Sequence, residues 1–315
     1  MNFNNAFNQV LNNGKNHIMI AIKLRAIIIF IIFTIPIMAM AQDTELNAHP
    51  AMWLVEKGNS KTYMLGSIHL LSPEVNWYGG LIEDVMDDTD EVVFEVNMTP
   101  GKEREAGMIS RSHDMLPEGD SLGNYLSEEE YALAGTQATA LGIPPAALDR
   151  LQPWLVSISL SISAIQKEGW DQNSGVDKHI KTLADARGIK ISELETLDAQ
   201  LATLWDHPLD IQSQMLKDTL KELGDITNIT MNMVAAWSGG DESEMEEVFL
   251  IPMMEQKDLF QSLVLDRNNN WVPVIEELIS KEQNTLIVAG AAHFVGEKGV
   301  VSLLREKGYD VIKVQ

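Results

Sequence analysis

An α/β fold, with α+β as the alternative, is predicted by three features of the chain. Apolar, β-branched runs stand near its start, middle and end. Several lead directly into helix-like stretches, and a long helical region is inserted between the middle and the last of them. Strands that each feed a helix run mostly in one direction, and ligands then bind beyond their carboxyl ends.

The elements follow in order. Residues 42–50 are a polar linker, and "AMWLVEKGNSKTYMLGSIHLL" reads as two strands around a Gly58-Asn59 turn. "LIEDVMDDTD" is amphipathic and helical, and "EVVFEVN" (91–97) is a buried strand. Residues 98–121 lack a clean period and carry several Gly and Pro, which predicts a long loop or short helices that could form a lid. Residues 122–168 are helical, with a start signal at Ser127 and the acidic run behind it. "GVDKHIKTLADARG" is a helix closed by Gly188, and "IKISELET" is a strand ending at Glu195. Residues 197–283 are mostly helical, broken at Pro208, "WSGGD" and Pro252. The C-terminal "NTLIVAGAAHFVGEKGVVSLLREKGYDVIKV" reads as a small βαβ unit.

Residues 1–41 stand apart. They hold Lys15, Lys23 and Arg25, no acid, the run "AIIIFIIFTIPIMAMA" and a small-residue site at Ala39-Met40-Ala41, the pattern of a cleaved export signal. The rival is a membrane anchor over 24–41, but the run of 16 residues is shorter than the roughly 20 a span needs. The expectation is an exported protein of the periplasm or cell envelope that meets the membrane only if this segment is retained. Without these three cations the chain has 20 basic residues against 46 acidic ones, a formal charge of −26, which disfavours nucleic acid as a partner. With no cysteine in the chain, disulfides, thiolate catalysis and Cys-based metal sites are excluded.

The same spacing then closes two strands more than 200 residues apart: Gly66-Ser67-Ile68-His69 and Gly290-Ala291-Ala292-His293. A glycine permits a tight or left-handed turn, and the histidine projects from the strand end. Two imidazoles and a carboxylate can hold a divalent metal with positions left for water. Glu95, inside an apolar strand, must be paired, coordinated to a metal or at the sheet edge. Glu195 ends another strand, while Asp177 either joins the site or favours a helix start. Arg267 and Asn268 can orient a carboxylate or an oxyanion, unless they simply follow Asp266 as a helix cap. Trp154, Trp237 and Trp271 are expected in the core; Met231, Met233, Met245, Met253 and Met254 fill packing; His113, His179 and His207 are ordinary.

These marks in order, "LGSIHLL", "VVFEVN", "LPEGDSLGNYLSEEEY", "LQPWL", "GVDKHI", "LADARG", "SELETLDAQL", "WSGGD", "DRNNNW" and "LIVAGAAHFVGEKGVVSLLREKGYDV", resemble the TraB/GumN family, which includes the Tiki proteins of animals. They cover nearly all of 51–315, a single domain. The resemblance implies two similar α/β halves meeting at the site, as in erythromycin esterase-like and ChaN-like proteins. It also implies a metal-dependent protease using manganese or cobalt, with zinc as an alternative, whose site is His69, His293 and Glu95. Ser67 stands where the family commonly has threonine. The expected function is an exported metal-dependent hydrolase acting on peptide or protein. The alternative is a non-catalytic envelope protein that binds a peptide or signal.

Overall fold

The computed structural model describes residues 46–315, so the segment 1–41 expected to be an export signal lies outside the described residues, as does most of the linker that follows it. The strands of the main sheet are β1 (Met52–Lys57), β2 (Ser60–Ser67), β3 (Glu91–Phe94), β4 (Lys190–Glu193), β5 (Thr285–Gly290) and β6 (Val311–Lys313), beside a short parallel pair of Leu46–Asn47 with Val75–Asn76. They form one six-stranded sheet in the order β4-β3-β5-β2-β1-β6. β4, β3, β5 and β2 are parallel neighbours, while β1 runs against both β2 and β6. β3 and β5 are buried along their whole length, as the apolar runs "VVF" and "LIVA" require of central parallel strands.

The strands bearing the two Gly-x-x-His turns are neighbours in this sheet. β2 and β5 pair from Thr62↔Thr285 to Ser67↔Gly290, so both turns leave the sheet side by side. Each turn leads to a short helix and a further strand: α1 (Leu81–Asp87) and β3 after the first, α10 (Val300–Glu306) and β6 after the second. The C-terminal βαβ unit differs from expectation in one respect. β6 is not adjacent to β5, because β2 and β1 lie between them.

Between β3 and β5 lies the helical insertion: α2 (Pro100–Arg111), α3 (Glu128–Ala140), α4 (Pro153–Lys167), α5 (Val176–Arg187), α6 (Leu197–Trp205), α7 (Leu209–Glu222), α8 (Ile226–Gly239) and α9 (Asp266–Ser280). β4 enters the sheet from within it. The segment 98–121 is more regular than its sequence suggests. Thr99 caps α2 by accepting from the Lys102 amide, and Pro100 takes the first helical position, where its missing N–H costs nothing. Ser127 and Glu130 form a reciprocal capping box at α3, and Gly188 closes α5 at φ 68°. Asp266 caps no helix. The helical path starts at Lys257 and runs through a π turn at Gln261–Leu265 into α9, which places Arg267 and Asn268 on a continuous, buried helical face. Among the described residues no helix is long and apolar enough to cross a membrane.

Candidate functional site

The carboxyl ends of the four parallel strands deliver His69 (β2), Glu95 (β3), Glu195 (β4) and His293 (β5) to one edge of the sheet. The two turns touch: a Cβ on Gly66 would lie 3.2 Å from the Ala291 Cβ. Close approach, not a left-handed backbone, is therefore what Gly66 supplies. It is absent from the glycines of positive φ, and Gly290 has φ −51°. The Trp237 indole N–H donates to the Gly66 carbonyl at 2.9 Å and pins the first turn from below.

Helix α5 docks its first turn directly on the first Gly-x-x-His. The Val176 amide donates to the Ile68 carbonyl at 3.0 Å, and a Cβ at Gly175 would fall 2.2 Å from the His69 carbonyl oxygen. Only glycine permits this approach, and it brings Asp177 onto the turn. His69 Nδ1–H donates to Asp177 Oδ2 at 2.7 Å, and Ser67 Oγ donates to Asp177 Oδ1 at 3.0 Å. Asp177 thus serves the histidine rather than a cap; the residue at the N-cap, Gly175, makes no side-chain cap bond. At the second turn His293 is 1% exposed. Its Nδ1–H donates to Asn268 Oδ1 at 2.7 Å, while Asn268 Nδ2 donates to the Lys298 carbonyl at 2.8 Å, which fixes the amide and with it the ring's tautomer.

Arg267 ties the remaining groups together. It donates through Nη2 to Glu95 Oε2 at 2.5 Å, through Nη2 and Nε to Glu195 Oε1 at 2.6 and 3.0 Å, and through Nη1 to His293 Nε2 at 2.8 Å. Its guanidinium lies 4.6 Å from the Trp271 ring centre. Glu95 Oε1 accepts the Gly290 amide at 2.7 Å, so the β3 carboxylate binds the very glycine that begins the second turn. Gln200 Nε2 bridges the two glutamates, at 2.9 Å from Glu95 Oε2 and 3.3 Å from Glu195 Oε1. The Trp271 indole N–H donates to Glu195 Oε2 at 3.2 Å. The site residues expected from the sequence therefore fall into two hydrogen-bonded groups at the same sheet edge: His69 with Asp177, and Glu95, Glu195, Asn268 and His293 around Arg267. Gln200 was not expected, although it shares the buried face of α6 with Leu197 and Leu204, where a lone polar residue is a signal. Trp271 is in the core as expected and also lines the site.

The electrostatics divide the groups. Burial would lower the His69 pKa, but the Asp177 carboxylate and its hydrogen bond, with Glu95 behind, outweigh it and raise the value to about 9. Burial lowers His293 to about 3, and the Arg267 cation adds to the effect. Glu95 is raised by burial but lowered more by Arg267, the two histidines and the Gly290 N–H, and ends at about 2. Glu195 goes up, because burial exceeds the help of Arg267 and Glu95 repels its charge. Two carboxylates that share donors yet are pushed apart give one fixed anion and one proton carrier.

The donor types, two imidazoles and a carboxylate, are those that hold a divalent cation, although they are not grouped around one point here. Each imidazole has Nδ1 engaged by an anchoring acceptor, Asp177 or Asn268, which is how metal-binding histidines are commonly oriented, with Nε2 turned to the ion. Glu95 supplies an ionised, buried carboxylate. In the arrangement described here His293 Nε2 and Glu95 Oε2 face the Arg267 cation, and among the described residues no three His, Asp or Glu side chains are grouped as a ligand cluster.

The sequence model of the TraB/PrgY/gumN family matches residues 51–313. The proteins named "Uncharacterized protein YbaP" of Shigella flexneri and of Escherichia coli (strain K12) are each 23% identical over 257 residues, 81% of this chain and 92% of theirs. A "Metalloprotease TIKI homolog" of Amphimedon queenslandica is 42% identical over 55 residues, 17% of this chain and 11% of that protein. No solved structure matches.

Proposed function

The chain belongs to the TraB/PrgY/gumN family, and we propose that it is an exported, metal-dependent hydrolase of the periplasm or cell envelope that cleaves peptide bonds. The observation that carries this reading is the pair of Gly-x-x-His turns, side by side on β2 and β5, with both rings anchored at Nδ1 around an ionised Glu95. The short stretch of likeness to a protein named as a metalloprotease supports the choice of reaction class. His69, His293 and Glu95 would hold the ion, manganese or cobalt by expectation with zinc as the alternative. A bound ion of this kind supplies Lewis acidity and a water of lowered pKa.

The chain's own residues do the rest. Asp177 holds the His69 ring in one orientation, and Asn268 does so for His293. Glu195, with its raised pKa, can take a proton from the attacking water and return it to the leaving amine. Arg267 lies between the carboxylates and His293, where its N–H groups can stabilise the charge that develops on a carbonyl oxygen. A peptide library incubated with the purified protein, with and without added Mn2+, tests the reading. Cleavage that needs the metal and is lost in His69→Ala supports it; equal cleavage, or none, in all arms contradicts it. Export is tested by N-terminal sequencing of the envelope protein, with a start at Gln42 expected and a retained Met1 or Met19 contradicting it.

A further inference from the structure

We infer that Arg267 and a divalent cation compete for the same ligand atom, His293 Nε2, so that metal loading moves Arg267 off His293 and leaves it held by Glu195. The inference rests on the metal-dependent reading above and concerns how this chain prepares for the ion.

An imidazole that carries its proton on Nδ1 has one in-plane lone pair, on Nε2. That lone pair can accept one N–H or bind one metal, but not both. Here it accepts Arg267 Nη1 at 2.8 Å. The ring cannot offer its other nitrogen instead. Nδ1–H is committed to Asn268 Oδ1, and Asn268 is itself held by the Lys298 carbonyl. Glu95 Oε2, the second donor, also carries an Arg267 N–H, at 2.5 Å, together with Gln200. A guanidinium and a divalent ion packed against the same two donors would in addition repel each other in a buried site.

Release from His293 would not cast Arg267 adrift. Its Nε and Nη2 bond Glu195, and Trp271 lies beneath the guanidinium. Glu195 is thus a pivot on which the side chain can turn while Nη1 leaves His293. As bonded here, Arg267 supplies the cation that Glu95 and His293 share. In the loaded protein the freed Nη1 faces the reacting centre, where an oxyanion needs a donor. One residue would therefore hold the two donors and, once displaced, serve the reaction.

The test is calorimetric titration of Mn2+ into wild-type protein, Arg267→Met and Arg267→Lys, with His69→Ala as the loss-of-site control, beside a crystal structure of the wild type soaked in Zn2+. Arg267→Met should bind Mn2+ at least tenfold more tightly than wild type, with Arg267→Lys between them. In the Zn2+ structure Arg267 should keep Glu195 and lose His293. Should Arg267→Met fail to fold, the lysine variant and the soaked structure still decide. Affinity unchanged or weaker in the arginine variants, with wild type binding and His69→Ala not, overturns the competition alone. So does an Arg267–His293 bond that survives in the Zn2+ structure. Wild type and both arginine variants all silent at millimolar Mn2+ would overturn the metal-dependent reading and the inference together.

Discussion

The two Gly-x-x-His turns have the same spacing, end neighbouring parallel strands and touch through Gly66 and Ala291, yet they hold their imidazoles in opposite states. His69 is raised to about 9 by Asp177 against the effect of burial, and His293 is lowered to about 3 by burial and Arg267. The difference comes from what the insertion sends to each turn. Helix α5 brings a carboxylate to the first, while helix α9 brings a guanidinium and a neutral amide to the second. A repeated motif therefore fixes where a ring stands, and its neighbours fix what charge it bears.

The largest effect is expected at Glu95, the anion that faces both turns. Glu95→Gln should lower turnover by about 10²–10⁴-fold. If Mn2+ affinity falls with it, Glu95 is a ligand; if affinity holds, it works on protons. A variant that loses only thermal stability, keeping metal and turnover, would remove Glu95 from the chemistry. Asp177→Asn should come next, at about 10–100-fold in metal affinity or activity, as for other groups that orient a metal-binding histidine. It should also bring the His69 pKa down from about 9 to below its ordinary 6.5, because burial, the largest influence on the ring, then goes almost unopposed, read by NMR titration. Normal activity with an unmoved His69 would show that the pair is incidental.

The comparison also sets how stability and metal uptake change with pH. His69 binds its proton more tightly when folded, so its contribution is complete below pH 6.5 and is lost as pH rises through about 9. His293 behaves in the opposite sense. The unfolded chain takes up a proton there that the folded chain refuses, so stability falls as pH drops from 6.5 towards 3. Glu95 adds to that acid-side loss between 4.5 and about 2. Urea midpoints should therefore decline on both sides, and Asp177→Asn should flatten the alkaline side. Because a ligand histidine must be neutral, Mn2+ affinity should rise by about tenfold per pH unit below pH 9. A pH-independent affinity would exclude His69 as a ligand. The smallest effect belongs to Ser67→Ala, which removes one of two bonds that seat Asp177 and should cost about 1 kcal/mol in chemical denaturation with little change in turnover.

Much of this was legible in the sequence, because strand ends and glycine spacing are local signals. The hairpin, both turns, β3 and the helix closed by Gly188 follow from them. The order of the strands does not, since it depends on which segments pair across the long insertion, and β6 consequently lies beyond β1 rather than next to β5. Glu91 shows the limit for site residues. It is buried at the start of β3, whose end leads into Glu95, but Ser192, Gln283, Lys190 and Lys281 serve it at the opposite end of the sheet. Burial of a glutamate among apolar neighbours is common to both. What separates them is the strand end each occupies: Glu95 stands at the carboxyl end, beside both histidines. Gln200 and the threefold use of Arg267 went unread because they depend on how α6 and α9 face the sheet.

The central claim is that one motif, used twice, holds two different imidazoles. A long-range 15N–1H spectrum of the histidine rings in metal-free wild-type protein at pH 7 tests it most directly. His69 should show both nitrogens protonated, and His293 should be neutral with its proton on Nδ1. Two rings titrating together near 6.5, or His293 protonated on Nε2, would contradict it.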